Sequence, residues 1–156
     1  KDIGVSRAEA DRYIKTYLAT YKGVADYMQS VIENAKQDGF VTTVFGRRRD
    51  LPELSASNGM IRSFGERGAR NAPIQGTAAD IIKLAMINVN NRLKKELPNA
   101  KLILQIHDEL IVECPIADAE TACKILEEEM QNAVNLRVKL TVDAHYGKNW
   151  LEANDE

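Results

Sequence analysis

An α+β fold with a small antiparallel sheet packed with several helices is predicted by three features of this sequence. Apolar residues recur at helical spacing in its longer stretches. They alternate or run together in short stretches bounded by turn residues. These stretches follow in the order helices, hairpin, long helix, strand, strand, helix, strand, with no internal repeat. With 156 residues, 44% of them apolar and 28% charged, the chain has the length and composition of one ordinary domain with a core, which excludes disordered and collagen-like classes. No stretch approaches the ~20 consecutive apolar residues of a membrane span. The first residues, "KDIGVSRAEADR", lack the apolar core of a signal peptide, so a cytoplasmic protein is expected. Cys114 and Cys123 form no CxxC pair and have no zinc-type neighbours, and are read as reduced structural thiols.

Ser6 and Glu9 fit a capping box, after which Ala10, Ile14, Tyr17, Leu18 and Tyr21 keep helical spacing until Gly23 breaks the helix. A second helix carries Val24, Tyr27, Met28, Val31, Ile32 and Ala35 on one stripe and stops at Gly39. The β-branched and aromatic residues of "FVTTVFGRRRDLPEL" then predict a short hairpin whose tip, around Gly46 and Arg47, is basic. From about Met60 to Leu97 the pattern is helical again, with Ile74, Ala78, Ile81, Ala85, Val89 and Leu93 along one side. Pro73 and Gly76 predict a kink or a junction of two helices there, because proline removes a backbone donor and clashes with the preceding turn. Gly65 and Gly68 weaken the upstream half by roughly 1 kcal/mol each relative to alanine, and suit either a close backbone approach or no special role. A helix from about Asp118 to Val134 follows, with Ala119, Ala122, Cys123, Leu126 and Met130 inward, and "VKLTVDAHYGKNW" predicts a final strand and a short tail.

The candidate chemistry lies in "LILQIHDELIVE", where two apolar runs meet at His107, Asp108 and Glu109. A two-residue turn at His107 and Asp108 would place Ile106 opposite Glu109. Asn-Gly or Asp-Gly would make that turn more easily, so His-Asp-Glu implies that local strain is accepted for a site. Adjacent carboxylates repel one another, and a divalent cation such as magnesium reverses that cost, taking oxygen ligands from one or two carboxylates plus substrate phosphates. Arg67, Asn71 and Gln75 recur every four residues, which puts them on one helical face. In the minor groove every base pair presents acceptors at similar positions, so such a row can test pair shape without reading sequence. The net charge of −2 argues neither for nor against a polyanion. Its distribution is informative: arginines 47, 48, 49, 62, 67 and 70 cluster before a mainly acidic stretch from Asp108 to Glu129. A non-catalytic nucleic-acid-binding module also fits these features. A hydrolase built on an HD pair fits less well, because His145 stands alone on the expected final strand.

"QIHDELIVE" together with "RNAPIQGTAADIIKLAMI" resembles the bacterial DNA polymerase I family, and the resemblance covers essentially the whole chain. "VSRAEADRYIKTYLATYKGVADYM" looks like the helices that follow the nucleotide-binding helix of the fingers, "GFVTTVFGRRRDLPEL" like the hairpin after them, and "GKNWLEA" like the C-terminal end. The resemblance implies that residues 1–59 are the last part of the fingers and residues 60–156 the last part of a palm. It implies that Asp108 is a catalytic, magnesium-binding aspartate, with Glu109 supporting the metal less directly. His107 would lie near the primer terminus. Arg67, Asn71 and Gln75 would contact template and primer beside the new pair, and Arg47 and Arg48 backbone phosphates. The implied partners are primer-template DNA and a deoxynucleoside triphosphate, the implied cofactor two Mg2+ ions, and the implied location the bacterial nucleoid. Asp50 departs from the family pattern, standing where an aromatic residue is commoner, and Gly65 and Gly68 replace frequent alanines. No segment of the "DYSQIELR" type, which carries the other catalytic aspartate, occurs here, nor does a "KxxNFGxxYG" helix for the triphosphate. The resemblance therefore implies a C-terminal piece of a polymerase, incomplete as a polymerase fold, inactive alone and prone to self-associate through an uncovered sheet edge.

Overall fold

A computed structural model describes residues 4–154. The elements run α1 (Arg7–Thr20), α2 (Lys22–Asp38), β1 (Phe40–Thr42), β2 (Arg48–Asp50), α3 (Gly59–Glu96), β3 (Lys101–Ile106), β4 (Glu109–Glu113), α4 (Ala119–Gln131) and α5 (Trp150–Asn154). Single 3₁₀ turns precede α3 (Pro52–Ser55) and α4 (Ile116–Asp118). Among the described residues this α+β chain has two small antiparallel sheets of two strands each. It divides into compact units, Lys1–Thr77 and Ala78–Glu156, each with its own core.

In the first unit the helical hairpin forms as the sequence predicts. Ser6 accepts from the Glu9 amide at 3.2 Å while Glu9 accepts from the Ser6 amide at 3.0 Å, a complete capping box, of a kind worth about 1 kcal/mol. The break between helices falls at Tyr21, not at Gly23, which lies in the first turn of α2. Gly39 ends α2 with φ of 80°, the left-handed conformation that glycine adopts without steric cost. Ile32 and Ala35 of α2 bury against Val41 of β1, Leu51 and Leu54 of the connecting segment, and Ala69 and Ala72 of α3. By contrast Ile14, Tyr17 and Tyr21 of the first predicted stripe are all more than half exposed.

The stretch containing Pro73 and Gly76 is one continuous helix of 38 residues, and not a junction of two. Its buried side changes along its length. In the first unit Gly65, Ala69, Ala72 and Pro73 are buried while Ile74 is 59% exposed, so the sequence-based stripe is wrong there. A Cβ added to Gly65 would stand 3.0 Å from the Leu54 amide nitrogen, and one on Gly68 3.2 Å from Leu51 Cδ2. The small residues therefore admit the loop Leu51–Leu54 to the helix surface, and smallness, not apolarity, marks the contact face.

In the second unit the predicted stripe holds beyond Ala78, which is exposed: Ile81 is half-buried and Ala85, Val89 and Leu93 are buried. Val89, Leu93, Leu97 and Ala100 pack with Ala122 and Ile125 of α4, and Leu102, Leu110 and Val112 of the β3–β4 hairpin lie against them. Arg92 ties α3 to α4, donating to Glu96 and Glu129 at 3.1 Å each and to Glu128. These three carboxylates hold the guanidinium pKa above its ordinary value.

The predicted final strand does not form: among the described residues 132–149 contain no strand. Leu140, Val142 and Ala144 still alternate inward, as strand residues would. The segment is held by side chains instead, with Gln131 Nε2 donating to the Val142 carbonyl at 3.2 Å and the Ala144 amide donating to Glu127 Oε1 at 3.4 Å. Alternation reports which face is covered, whereas a strand also needs a ladder partner, and the described residues supply none. A groove of about 1040 Å³ is lined by β4, by Ala122, Cys123 and Leu126 of α4, and by residues 141–149. Both thiols border it as free cysteines, and burial pushes the pKa of each up.

Candidate nucleic-acid interface and metal-binding turn

The β3–β4 hairpin closes in the register that the sequence predicts, with Ile106 opposite Glu109 and only His107 and Asp108 between them. His107 has φ of +52° and is the only non-glycine residue with positive φ among the described residues. Such a conformation costs an L-residue about 1–2 kcal/mol, less for residues whose side chains bond locally. The turn is held by Gln105, whose Nε2 donates to the His107 carbonyl at 2.6 Å. Upstream, a register shift between Leu102 and Leu104 gives β3 an extra residue, Ile103, left 53% exposed. A bulge of this kind increases strand twist. His107, Asp108 and Glu109 are all exposed at the end of a hairpin anchored on its inner face by Leu102, Leu110 and Val112.

Among the described residues no three His, Cys, Asp or Glu side chains gather into a metal cage. Two adjacent carboxylates suit magnesium in its common mode, in which the protein gives one or two oxygens and phosphates or water the rest. Asp108 and Glu109 fit such an ion as part of a ligand set.

Arg67, Asn71 and Gln75 lie in the first unit, on a helix without interruption, and all three are exposed, as their spacing of four requires. Arg67 sits over the Phe64 ring at 5.8 Å, which gives its guanidinium an apolar support. The two hairpin arginines have separate surroundings. Arg48 lies over the Phe40 ring at 3.8 Å and pairs with Asp50 at 2.7 Å. Arg47 reaches α3, where its Nη2 donates to the Gly76 carbonyl at 2.9 Å. Sequence reasoning missed the residues around that bond: Thr43, the single buried polar side chain among the described residues, and Thr77, whose hydroxyl accepts from the Val44 amide at 3.1 Å. A buried threonine facing a glycine is a non-local signal, visible only once the hairpin and helix are placed together.

A sequence profile of DNA polymerase family A matches residues 1–152. The chain belongs to that family. It is 50% identical over 153 residues to the DNA polymerase I of Bacillus caldotenax, covering 98% of this chain and 17% of that protein. The DNA polymerase I of Geobacillus stearothermophilus is 48% identical over the same length, with 18% of it covered. A solved structure, the POL domain of Pol1 from M. smegmatis in complex with DNA primer-template and dNTP, superposes with a TM-score of 0.92 at 42% identity, over 99% of this chain and 27% of that one. The chain thus spans under a fifth of the length of these curated relatives. No helix of it, among the described residues, is long and apolar enough to cross a membrane.

Proposed function

We propose that this chain is the C-terminal portion of a DNA-directed DNA polymerase of the bacterial nucleoid, which extends a primer 3′ end by template-dependent nucleotidyl transfer. The observation that carries the reading is the β3–β4 turn, where a family A segment sets Asp108 in a two-residue tip, beside Glu109 at the start of β4, with His107 left-handed. Residues 1–59 would belong to the fingers and residues 60–156 to the palm. Asp108 and Glu109 would hold magnesium, which when bound neutralises charge on the attacking and leaving oxygens. The chain's own part is positioning. Anchored strands hold Asp108 in place, His107 lies by the primer terminus, and Arg67, Asn71 and Gln75 donate to the minor-groove acceptors of the pair just formed. Arg47 and Arg48 lie against backbone phosphates.

Asp108→Ala in the intact polymerase tests this. Turnover is expected to fall on the order of 10³-fold, the size seen when one pre-placed charge-stabilising group is removed, while primer-template affinity is retained. Unchanged turnover would leave a binding module without chemistry. The isolated chain, lacking the strand with the other catalytic aspartate and the triphosphate-binding helix, is expected to show no primer extension with magnesium and all four deoxynucleotides. Template-dependent extension by it would refute that expectation. Self-association of the isolated chain is expected at the exposed β3 residues Ile103 and Leu104, and a monodisperse monomer in light scattering would count against it.

A further inference from the structure

The turn of α3 that carries Gln75 is, by its own sequence, the least able to hold its shape. Pro73 gives no amide to the Ala69 carbonyl and crowds the turn before it, and Gly76 adds backbone freedom three residues later. Yet the helix is unbroken there. What holds it comes from the hairpin loop between β1 and β2. The loop is tightly made: the Thr43 amide donates to the Arg47 carbonyl and the Gly46 amide to the Thr43 carbonyl, both at 2.9 Å, and the Arg47 amide donates to the Thr43 hydroxyl at 3.1 Å. From this loop Arg47 Nη2 reaches the Gly76 carbonyl. The Val44 amide donates to the Thr77 hydroxyl, which itself donates to the Pro73 carbonyl at 2.5 Å. The Thr43 methyl fills the remaining space: a Cβ on Gly76 would stand 2.7 Å from Thr43 Cγ2, so the glycine is what lets the loop seat. The tethered positions, 73, 76 and 77, bracket Gln75 on both sides, while Gln75 itself stays exposed.

We propose that the Thr43–Arg47 loop is a brace that fixes the α3 turn presenting Gln75, making Thr43, Arg47, Gly76 and Thr77 positioning residues for the test of base-pair shape at the primer end. The inference rests on the polymerase reading, in which Gln75 donates to the minor groove. It gives Arg47 a task separate from any phosphate contact. A hydrogen-bond donor must sit within a few tenths of an ångström of its bonding distance from the acceptor to tell a matched pair from a mismatched one, so a helix turn that wanders loses discrimination before it loses binding.

The experiment uses the intact polymerase and compares extension of matched and mismatched primer termini. Thr77→Val keeps the side-chain shape and removes only the hydroxyl relay. It is expected to reduce the ratio of matched to mismatched kcat/KM about tenfold, with primer-template Kd unchanged. Gly76→Ala is expected to do the same or more. In a Gln75→Ala background, Thr77→Val should change the ratio less than about twofold, because a brace acts only through the residue it aims. Arg47→Lys, which can still reach the Gly76 carbonyl, should keep most of the discrimination that Arg47→Ala loses. The brace is overturned if Thr77→Val leaves discrimination intact while Gln75→Ala lowers it, or if the two losses multiply. If Gln75→Ala itself has no effect on discrimination, the minor-groove role of Gln75 fails and the brace with it. Thermal unfolding of each variant guards against a folding defect, and Thr77→Val decides the matter if Gly76→Ala does not fold.

Discussion

The two hairpins of this chain solve one backbone problem in opposite ways. Each has a residue in the left-handed region at its tip: Gly46 with φ of 80° in the first, His107 with φ of 52° in the second. In the first the residue is glycine, the loop is five residues long, and its tip is seated on α3 through Thr43, Val44 and Arg47. In the second the loop has two residues, its tip is exposed, and the strained position is filled by a side chain with a ring. Where geometry alone matters, the chain uses the residue that makes it without strain. Where it accepts strain, the contrast predicts that the side chain itself is needed.

Substitutions at the two tips put that contrast at risk. The largest effect belongs to the roughly thousandfold loss of turnover expected for Asp108→Ala, and no change near Gly46 should approach it. Among stability effects, Gly46→Val should destabilise the chain by about 2 kcal/mol, because a β-branched residue at positive φ is strained, and denaturant titration would measure it. A cost under about 0.5 kcal/mol would mean that the loop relaxes and that the first tip is no more fixed than the second. His107→Gly should do the reverse, stabilising the fold by about 1 kcal/mol while slowing primer extension. If it costs stability, the ring has packing that offsets its backbone strain.

The smallest effect is a pH dependence beside the first hairpin. Lys36 lies 2.7 Å from Glu66 and, by hydrogen bond first and charge second, holds the Glu66 carboxyl below its ordinary value. A lowered folded-state pKa means that the pair's contribution is present above the usual glutamate pKa and is lost as pH falls through the lower folded value. The pair is exposed, so Lys36→Met should flatten the acid limb of a stability-against-pH curve only slightly.

The second hairpin was legible in the sequence because every signal for it is local: alternating apolar residues, a two-residue gap, and a register that follows from both. The helical hairpin was legible for the same reason, through its capping box and terminal glycine. The upstream half of α3 was misread because its contact face is built from glycine and alanine, which a count of large apolar residues passes over, while Ile74 on the other side attracted the stripe. The expected final strand failed on its partner, since a strand is a relation between segments and residues 132–149 carry only half of it. Of the site, the carboxylates of the turn and the row Arg67, Asn71, Gln75 could be named from spacing and from family resemblance. The link from Arg47 to Gly76 joins positions 29 apart, and an arginine in a run of three gives no sign of which one turns inward.

The close seating of the Leu51–Leu54 loop on α3 bears on any attempt to make this segment more heat-resistant. Replacing a helical glycine by alanine is a standard route, gaining up to about 1 kcal/mol from propensity alone. At position 68 the obstacle is the tip of a leucine side chain at 3.2 Å, which can swing aside. At position 65 it is a main-chain nitrogen at 3.0 Å, which cannot move without its loop, so the two changes should have opposite signs although they sit one helical turn apart.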